Sequence, residues 1–389
     1  MNSWSSPQQL DPPLVWEKTS CPRSLFCACA VALFATGWFL APANASCPVS
    51  FQGLGQLPGD VASQGLALSN DGRVVGGASF DASGAPHAFR WTAETGMVAL
   101  GAPPPGFPNS VALATNRNGS VIVGIALFFD ERVAFRWTEA TGVQRLTPVR
   151  ATPRAISAAG ISARGDVIAG AAAVTTGLPE IYRWTGPGGV VTLGVQSSQA
   201  GNDVRWGVSA KGDVIAGVAA GEDHQDFAFR WTATDGVVAL PTLPDAVKSG
   251  AFGVSKHGNV IVGFTGFSDN SLEATIWNDD RVEGLGTLDD DFLSVALKTS
   301  KQGRVIVGSS GECLGCGPAH AVIWGKGRRI LDLRELLVKA GLEKELDGWS
   351  LVEANSVSDD GRVVSGVAIN PDGNTEAFVA TICPQLLDQ

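Results

Sequence analysis

The chain has little of what most enzyme sites are built from. Among 389 residues there are four histidines, one tyrosine and two methionines. The histidines, His87, His224, His257 and His320, are scattered, and no Gly-x-Ser-x-Gly or His-Glu-x-x-His arrangement occurs, so neither a nucleophile elbow nor a zincin site is written here. Basic residues are also scarce: 28 Lys and Arg against 38 Asp and Glu leave a net charge of −10, a poor match to nucleic acid or anionic lipid. Long apolar runs are absent after residue 40. The one such stretch, Leu25 to Leu40, follows Lys18 and Arg23 and precedes Ala43-Asn44-Ala45, the pattern of a signal peptide cleaved after Ala45. It is short for a membrane span, although a retained leader acting as an anchor is the alternative. Cleavage leaves the charge unchanged, because Lys18 and Arg23 balance Asp11 and Glu17.

What is abundant is glycine, and it is periodic. Gly72, Gly119, Gly165, Gly212, Gly258, Gly303 and Gly361 are separated by 47, 46, 47, 46, 45 and 58 residues. Each stands three residues after a Ser or Asn: Ser69, Asn116, Ser162, Ser209, Ser255, Ser300 and Ser358. Such side chains are expected to bond backbone N–H groups two residues on, while Gly supplies the positive φ of a hairpin turn. The turn needs no catalytic explanation, and on the same grounds His257 reads as a solvent-facing turn residue.

After each turn comes a β-branched run such as Val121-Ile122-Val123-Gly124, of the kind buried on both faces. A third strand repeats as Ala88-Phe89-Arg90-Trp91-Thr92, and six tryptophans recur at its equivalent positions: Trp91, Trp137, Trp184, Trp231, Trp277 and Trp324. They read as aromatic wedges between neighbouring sheets. A fourth strand follows, as in Gly96 to Gly101. A period in the forties with four strands per unit predicts an all-β, seven-bladed β-propeller forming a single domain over residues 46–389. The seventh unit lacks a fourth strand, and Ser50 to Gly55 has the form to supply it, pairing with the C-terminal strand to close the ring.

Cysteine usage points the same way. Setting aside Cys21, Cys27 and Cys29 in the leader, Cys47, Cys313, Cys316 and Cys383 allow three pairings. Paired chain ends would put Cys47 beside Cys383, closing a loop of more than 330 residues and contributing on the order of 5 kcal/mol. Cys313 and Cys316 would then pair locally; a zinc site adding His320 lacks an evident fourth ligand. The 58-residue spacing holds a short helical insertion near residues 332–347. Leu333, Leu336, Leu337 and Ala340 form one apolar face there, Asp332 is placed to cap it and Gly341 to end it.

The His87-Ala88-Phe89 start of the third strand, its Arg-Trp-Thr continuation and the Ser-x-Asp-Gly turn together resemble the HAF-repeat family of bacterial extracellular proteins, over essentially the whole mature chain. The resemblance implies export and a propeller-like repeat fold, with no biochemical activity to carry over. The His87 position is filled by Val133, Glu180, Phe227, Glu273, His320 and Glu376 in the other repeats, which argues against shared histidine chemistry. Many family members carry a C-terminal sorting signal, which Cys383 to Gln389 does not resemble.

The expected function is therefore a monomeric, secreted or periplasmic binding or interaction protein without catalytic residues or a required cofactor. It would use variable loops such as Phe80 to Pro86, Phe128 to Glu131 and Gly311 to Pro318 to hold a polysaccharide or an envelope protein. The alternative is a polysaccharide hydrolase or lyase on the same scaffold, and His224 or the acidic clusters Asp279-Asp280 and Asp289-Asp290-Asp291 would have to provide its chemistry. Those clusters could also bind Ca²⁺, but they have no ligand spacing that supports a site.

Overall fold

The computed structural model describes residues 47–129, 131–146, 154–174, 178–186, 188–197, 205–221, 225–279, 281–289, 291–312 and 319–388. The leader with Ala45, the Cys313 and Cys316 pair, His224, Asp280 and Asp290 lie outside them. Apart from one short α-helix and a terminal 3-10 turn, the regular structure is β. It is arranged as antiparallel meanders in chain order, for example Ala62–Leu68, Val75–Phe80, Pro86–Thr92 and Gly96–Ala99 in the first repeat. The largest sheet consists of two such four-stranded meanders joined by a single parallel bridge, Leu272 to Leu293.

The final meander is completed from the far end of the sequence. Ser50–Gly53 pairs antiparallel with Thr375–Thr381, Ser50 facing Thr381 and Gly53 facing Phe378. Cys47 and Cys383 are disulfide-bonded beside this pair, with Cα atoms 5.5 Å apart and 336 residues between them in sequence.

The repeated Ser or Asn works differently from the local bond expected of it. In every turn its side-chain oxygen accepts from the N–H of the valine five residues on, Val74 for Ser69 at 2.9 Å and Val121 for Asn116 at 3.0 Å being examples. The two-residue bond exists too, but the residue between supplies it: Asp71 accepts from Arg73 N–H and Asp360 from Arg362 N–H. A side chain at the strand end can therefore span the whole turn and fix where the second strand begins.

The turn glycines meet two demands. Their φ values lie between 70° and 79°, where residues with a Cβ are strained. A Cβ would also collide with the valine that opens the second strand of the preceding repeat: Val74 for Gly119, Val121 for Gly165, and onward to Val305 for Gly361. Gly72, in the first repeat, meets Val363 of the last.

The same order of neighbours appears in the packing. One buried cluster joins Phe89, Trp91 and Leu68 of the first repeat to Ala377 of the last, and another joins Phe135 and Ile122 to Ala88. Between the tryptophans the wedge role is uneven. Trp277 and Trp324 are fully buried and donate their indole N–H to Pro241 O and Leu285 O at 2.6 and 2.9 Å. Trp137, Trp184 and Trp231 are only half-buried, and there the residue two places earlier, Phe135, Tyr182 or Phe229, fills the core. Burial pushes the Tyr182 phenol above its ordinary range, and its hydroxyl donates to Ser157 O at 2.8 Å.

The insertion forms a helix over Leu333–Lys339, shorter than the span the sequence suggests. Asp332 caps it by accepting from Glu335 N–H, Leu333, Leu336 and Leu337 are buried, and the chain leaves through Gly341 at φ 100°.

Candidate functional site

Antiparallel meanders give every repeat two ends. The glycine turns joining first to second strands lie at one end, and the connections from second to third strand and from one repeat to the next lie at the other. At the turn end the residue after each Ser or Asn is linked to the next repeat through the backbone. Arg117 N–H donates to Ala163 O, Ala163 to Ala210, Ala210 to Lys256, Lys256 to Lys301 and Lys301 to Asp359, each at 3.1 Å. Asp359 N–H then donates to Asn70 O at 2.8 Å, and Asp71 N–H donates to Arg117 O at 3.1 Å.

The first strands of all seven repeats line one cavity of about 90 Å³ behind this series of turns. Leu66, Leu113, Phe252 and Leu297 supply an apolar layer, and Lys256, Lys298, Lys301 and Asp359 lie toward the turns. Nearer the loop end Arg205 reaches from the fourth repeat to the seventh, donating to Asn355 Oδ1 at 2.7 Å and to Glu353 Oε1 at 2.5 Å. Asn355 in turn donates to Gly65 O of the first repeat at 3.1 Å.

The loop end exposes apolar side chains among its polar ones. Of nine large apolar side chains with high exposure, Val61, Phe128, Phe129, Leu178, Val247 and Phe292 lie at this end of their sheets, while Val98, Val191 and Val238 lie on outer strands. Phe128 and Phe129 stack edge-on with centroids 4.6 Å apart; Phe129 is 88% exposed and holds a φ of 49°. A bulky side chain in the left-handed region, presented to solvent, is uncommon.

Two of the histidines have carboxylate partners. His87 Nδ1 contacts both carboxylate oxygens of Asp60 at 3.1 Å, and His320 Nδ1 contacts Asp332 at 2.9 Å. At the same strand position Glu273 and Glu376 accept from Gly286 and Gly55 N–H, so histidine and glutamate alike fasten a connecting segment. The Asp60 and His87 pair borders a second cavity of about 470 Å³ between Leu57 and Pro108. His257 is exposed in its turn. Asp279 and Asp289 are exposed at positive φ, and no group of three metal-ligating side chains occurs among the described residues. Among the strand arginines, Arg90 reaches Gly119 O of the next turn at 3.5 Å and Arg183 lies over the Trp231 ring at 5.8 Å, while the buried Nε atoms of Arg136 and Arg183 have no hydrogen-bond partner among the described residues.

Phe128 and Phe129 stand in a loop singled out from the sequence. Lys298 and Arg205 were not expected, although aligning the repeats would have exposed Lys298, since the other six carry Ala67, Ala114, Gly160, Gly207, Gly253 and Ser356 at that place.

Comparison with known proteins places the architecture. No protein-family model matches the chain, and no curated protein matches it. Among solved structures the chain is similar to an oligogalacturonate lyase from Vibrio parahaemolyticus, with a TM-score of 0.54 and 9% identity over 87% of this chain and 98% of that one. It is also similar to TolB from Acinetobacter baumannii, with a TM-score of 0.46 and 14% identity over 67% of this chain and 63% of that one. The lyase is a β-propeller, and the fold of this chain is β-propeller-like. At 9% identity the likeness concerns the fold and not the activity.

Proposed function

We propose that the chain is an exported seven-bladed propeller whose loop end is a binding surface for a polysaccharide or an envelope protein. Three cyclic series support the closed ring: the backbone bonds between turns, the glycine-on-valine contacts returning from Val363 to Gly72, and the buried clusters shared by neighbouring repeats. Export is supported by the leader read from the sequence and by the Cys47–Cys383 disulfide, a bond that persists in oxidising compartments. Among the described residues no helix is long and apolar enough to cross a membrane. The repeats are those of a HAF-type protein.

The observation that carries the binding role is the exposed Phe128 and Phe129 pair, accompanied by four further exposed apolar side chains at the same end. Exposed apolar side chains gathered at one end of a soluble fold mark interaction surfaces. The test is a thermal-shift series against envelope and plant polysaccharides, with product analysis, alongside pull-down from an envelope extract. Wild-type protein is expected to bind without generating new chain ends. The Phe128→Ser/Phe129→Ser variant is expected to lose binding while its stability stays within about 0.5 kcal/mol of wild type. Undiminished binding by that variant would refute the assignment, and release of new chain ends would replace it with a polysaccharide-cleaving enzyme.

A further inference from the structure

The cavity behind the turns has the opposite charge to the molecule that surrounds it. Four cationic side chains line it, Arg205, Lys256, Lys298 and Lys301, against the single carboxylate of Asp359, in a chain whose net charge is −10. Arg205 is bonded to Glu353 and Asn355, and Asp359 Oδ1 accepts from Asn70 Nδ2 at 2.7 Å. The three lysine ammonium groups form no hydrogen bond or ion pair with the described residues.

Lys298 is the unusual member. It occupies a position that is Ala, Gly or Ser in the other six repeats, and its backbone lies against Gly253 of the neighbouring first strand. The strand bulges there, the register shifting between Ala296 and Lys298, so a long side chain is delivered into the space that six small residues leave open. Burial holds its ammonium below the usual lysine range, and Asp359 acts in the other direction. Lys298 is half-buried, and a cation lining a cavity without a hydrogen-bonded carboxylate is disposed to take up an anion. Leu66, Leu113, Phe252 and Leu297 give the cavity apolar walls, which strengthen the field of the cations that line it.

We propose that this cavity is a binding site for a small oxyanion, a phosphate or a dicarboxylate, held by Lys298 from within and by Lys256 and Lys301 at the ring of turns. Its volume of about 90 Å³ is well below the roughly 300 Å³ at which pockets begin to take drug-sized ligands, which suits a compact anion and not a sugar chain. The site lies at the end opposite Phe128 and Phe129, so it is separate from the proposed polymer- or protein-binding surface.

The test is isothermal titration of the purified, oxidised protein with inorganic phosphate and, separately, with succinate, both at ionic strength held constant with sodium chloride. Saturable binding of at least one anion is expected, and which of them binds identifies the source of the oxyanion chemistry. Lys298→Ala is expected to weaken that binding at least tenfold. Alanine is already present at the equivalent Ala67 and Ala114, so the variant keeps a side chain the ring accommodates. Lys301→Gln, at the mouth, should weaken it severalfold, and Phe128→Ser/Phe129→Ser should leave it unchanged. Absence of saturable binding by both anions, or equal affinity in Lys298→Ala, would overturn the proposal.

Discussion

The two ends of the sheets follow different rules. At the turn end one short sentence is repeated seven times, and each copy is tied to the next through backbone bonds and a glycine seated on a valine. At the loop end the connections differ in length and composition around a few recurring anchors, and exposed phenylalanine, leucine and valine stand among their polar residues. The turn end thus carries the repeated architecture, and the loop end varies between anchors such as Glu273 and Glu376. This is the usual division between a rigid scaffold and the loops that carry function.

The sharpest way to break that contrast is at the disulfide, which lies at the turn end of the final sheet. Cys383→Ser frees a loop of 336 residues and is expected to lower stability by roughly 5 kcal/mol, read from urea unfolding midpoints at fixed protein concentration. A loss below about 1 kcal/mol would show that the paired strands, not the covalent bond, hold the chain ends together.

A matched pair of glycine substitutions separates the ends directly. Gly119→Ala places a Cβ at φ 70° against Val74, and left-handed strain plus overpacking is expected to cost roughly 2–4 kcal/mol. Gly84→Ala, at φ 82° in a loop-end connection with open space around it, incurs the conformational term alone, about 1–2 kcal/mol. Thermal unfolding of both variants checks the difference. Equal losses would mean that close packing adds nothing at the turn end.

The smallest effect concerns the one repeat that departs from the turn-end pattern. Lys298→Met removes an unpaired ammonium and is expected to raise stability by roughly 1 kcal/mol in the absence of added anions. The pH dependence has a definite sign. The lysine is held below its ordinary pKa in the folded protein, so between the folded and unfolded values the unfolded chain binds more protons, and stability rises with pH across that window. The methionine variant should lose this alkaline rise, as followed by melting temperature from neutral to high pH.

The sequence made the periodic part of this molecule legible because each repeated residue answers a local demand. Gly72 and its equivalents need positive φ, Val121-Ile122-Val123 needs two buried faces, and Ser50 to Gly53 has the form of a strand the last repeat lacks. Two local readings shifted when the chain was seen folded. The Ser69-type side chain bonds five residues on because the turn curls it back onto the second strand. The core aromatic in three repeats is Phe135, Tyr182 or Phe229, since the half-buried tryptophans Trp137, Trp184 and Trp231 stand two places nearer the turn end of the strand. The cavity was illegible for a different reason. Lys298 and Asp359 belong to consecutive repeats and line one cavity only once the first strands come together, while Arg205 and Glu353 are 148 residues apart. A single repeat contains no sign of either arrangement.

The pairing of Ser50–Gly53 with Thr375–Thr381 also sets an order in time. Ser50–Gly53 is made well before its neighbour, which follows some 320 residues later. Until then Ser50–Gly53 lacks its partner strand, and Cys47 has no Cys383 to join. The seam between the two strands therefore forms late, and a chain interrupted between Gly53 and Cys383 forfeits it.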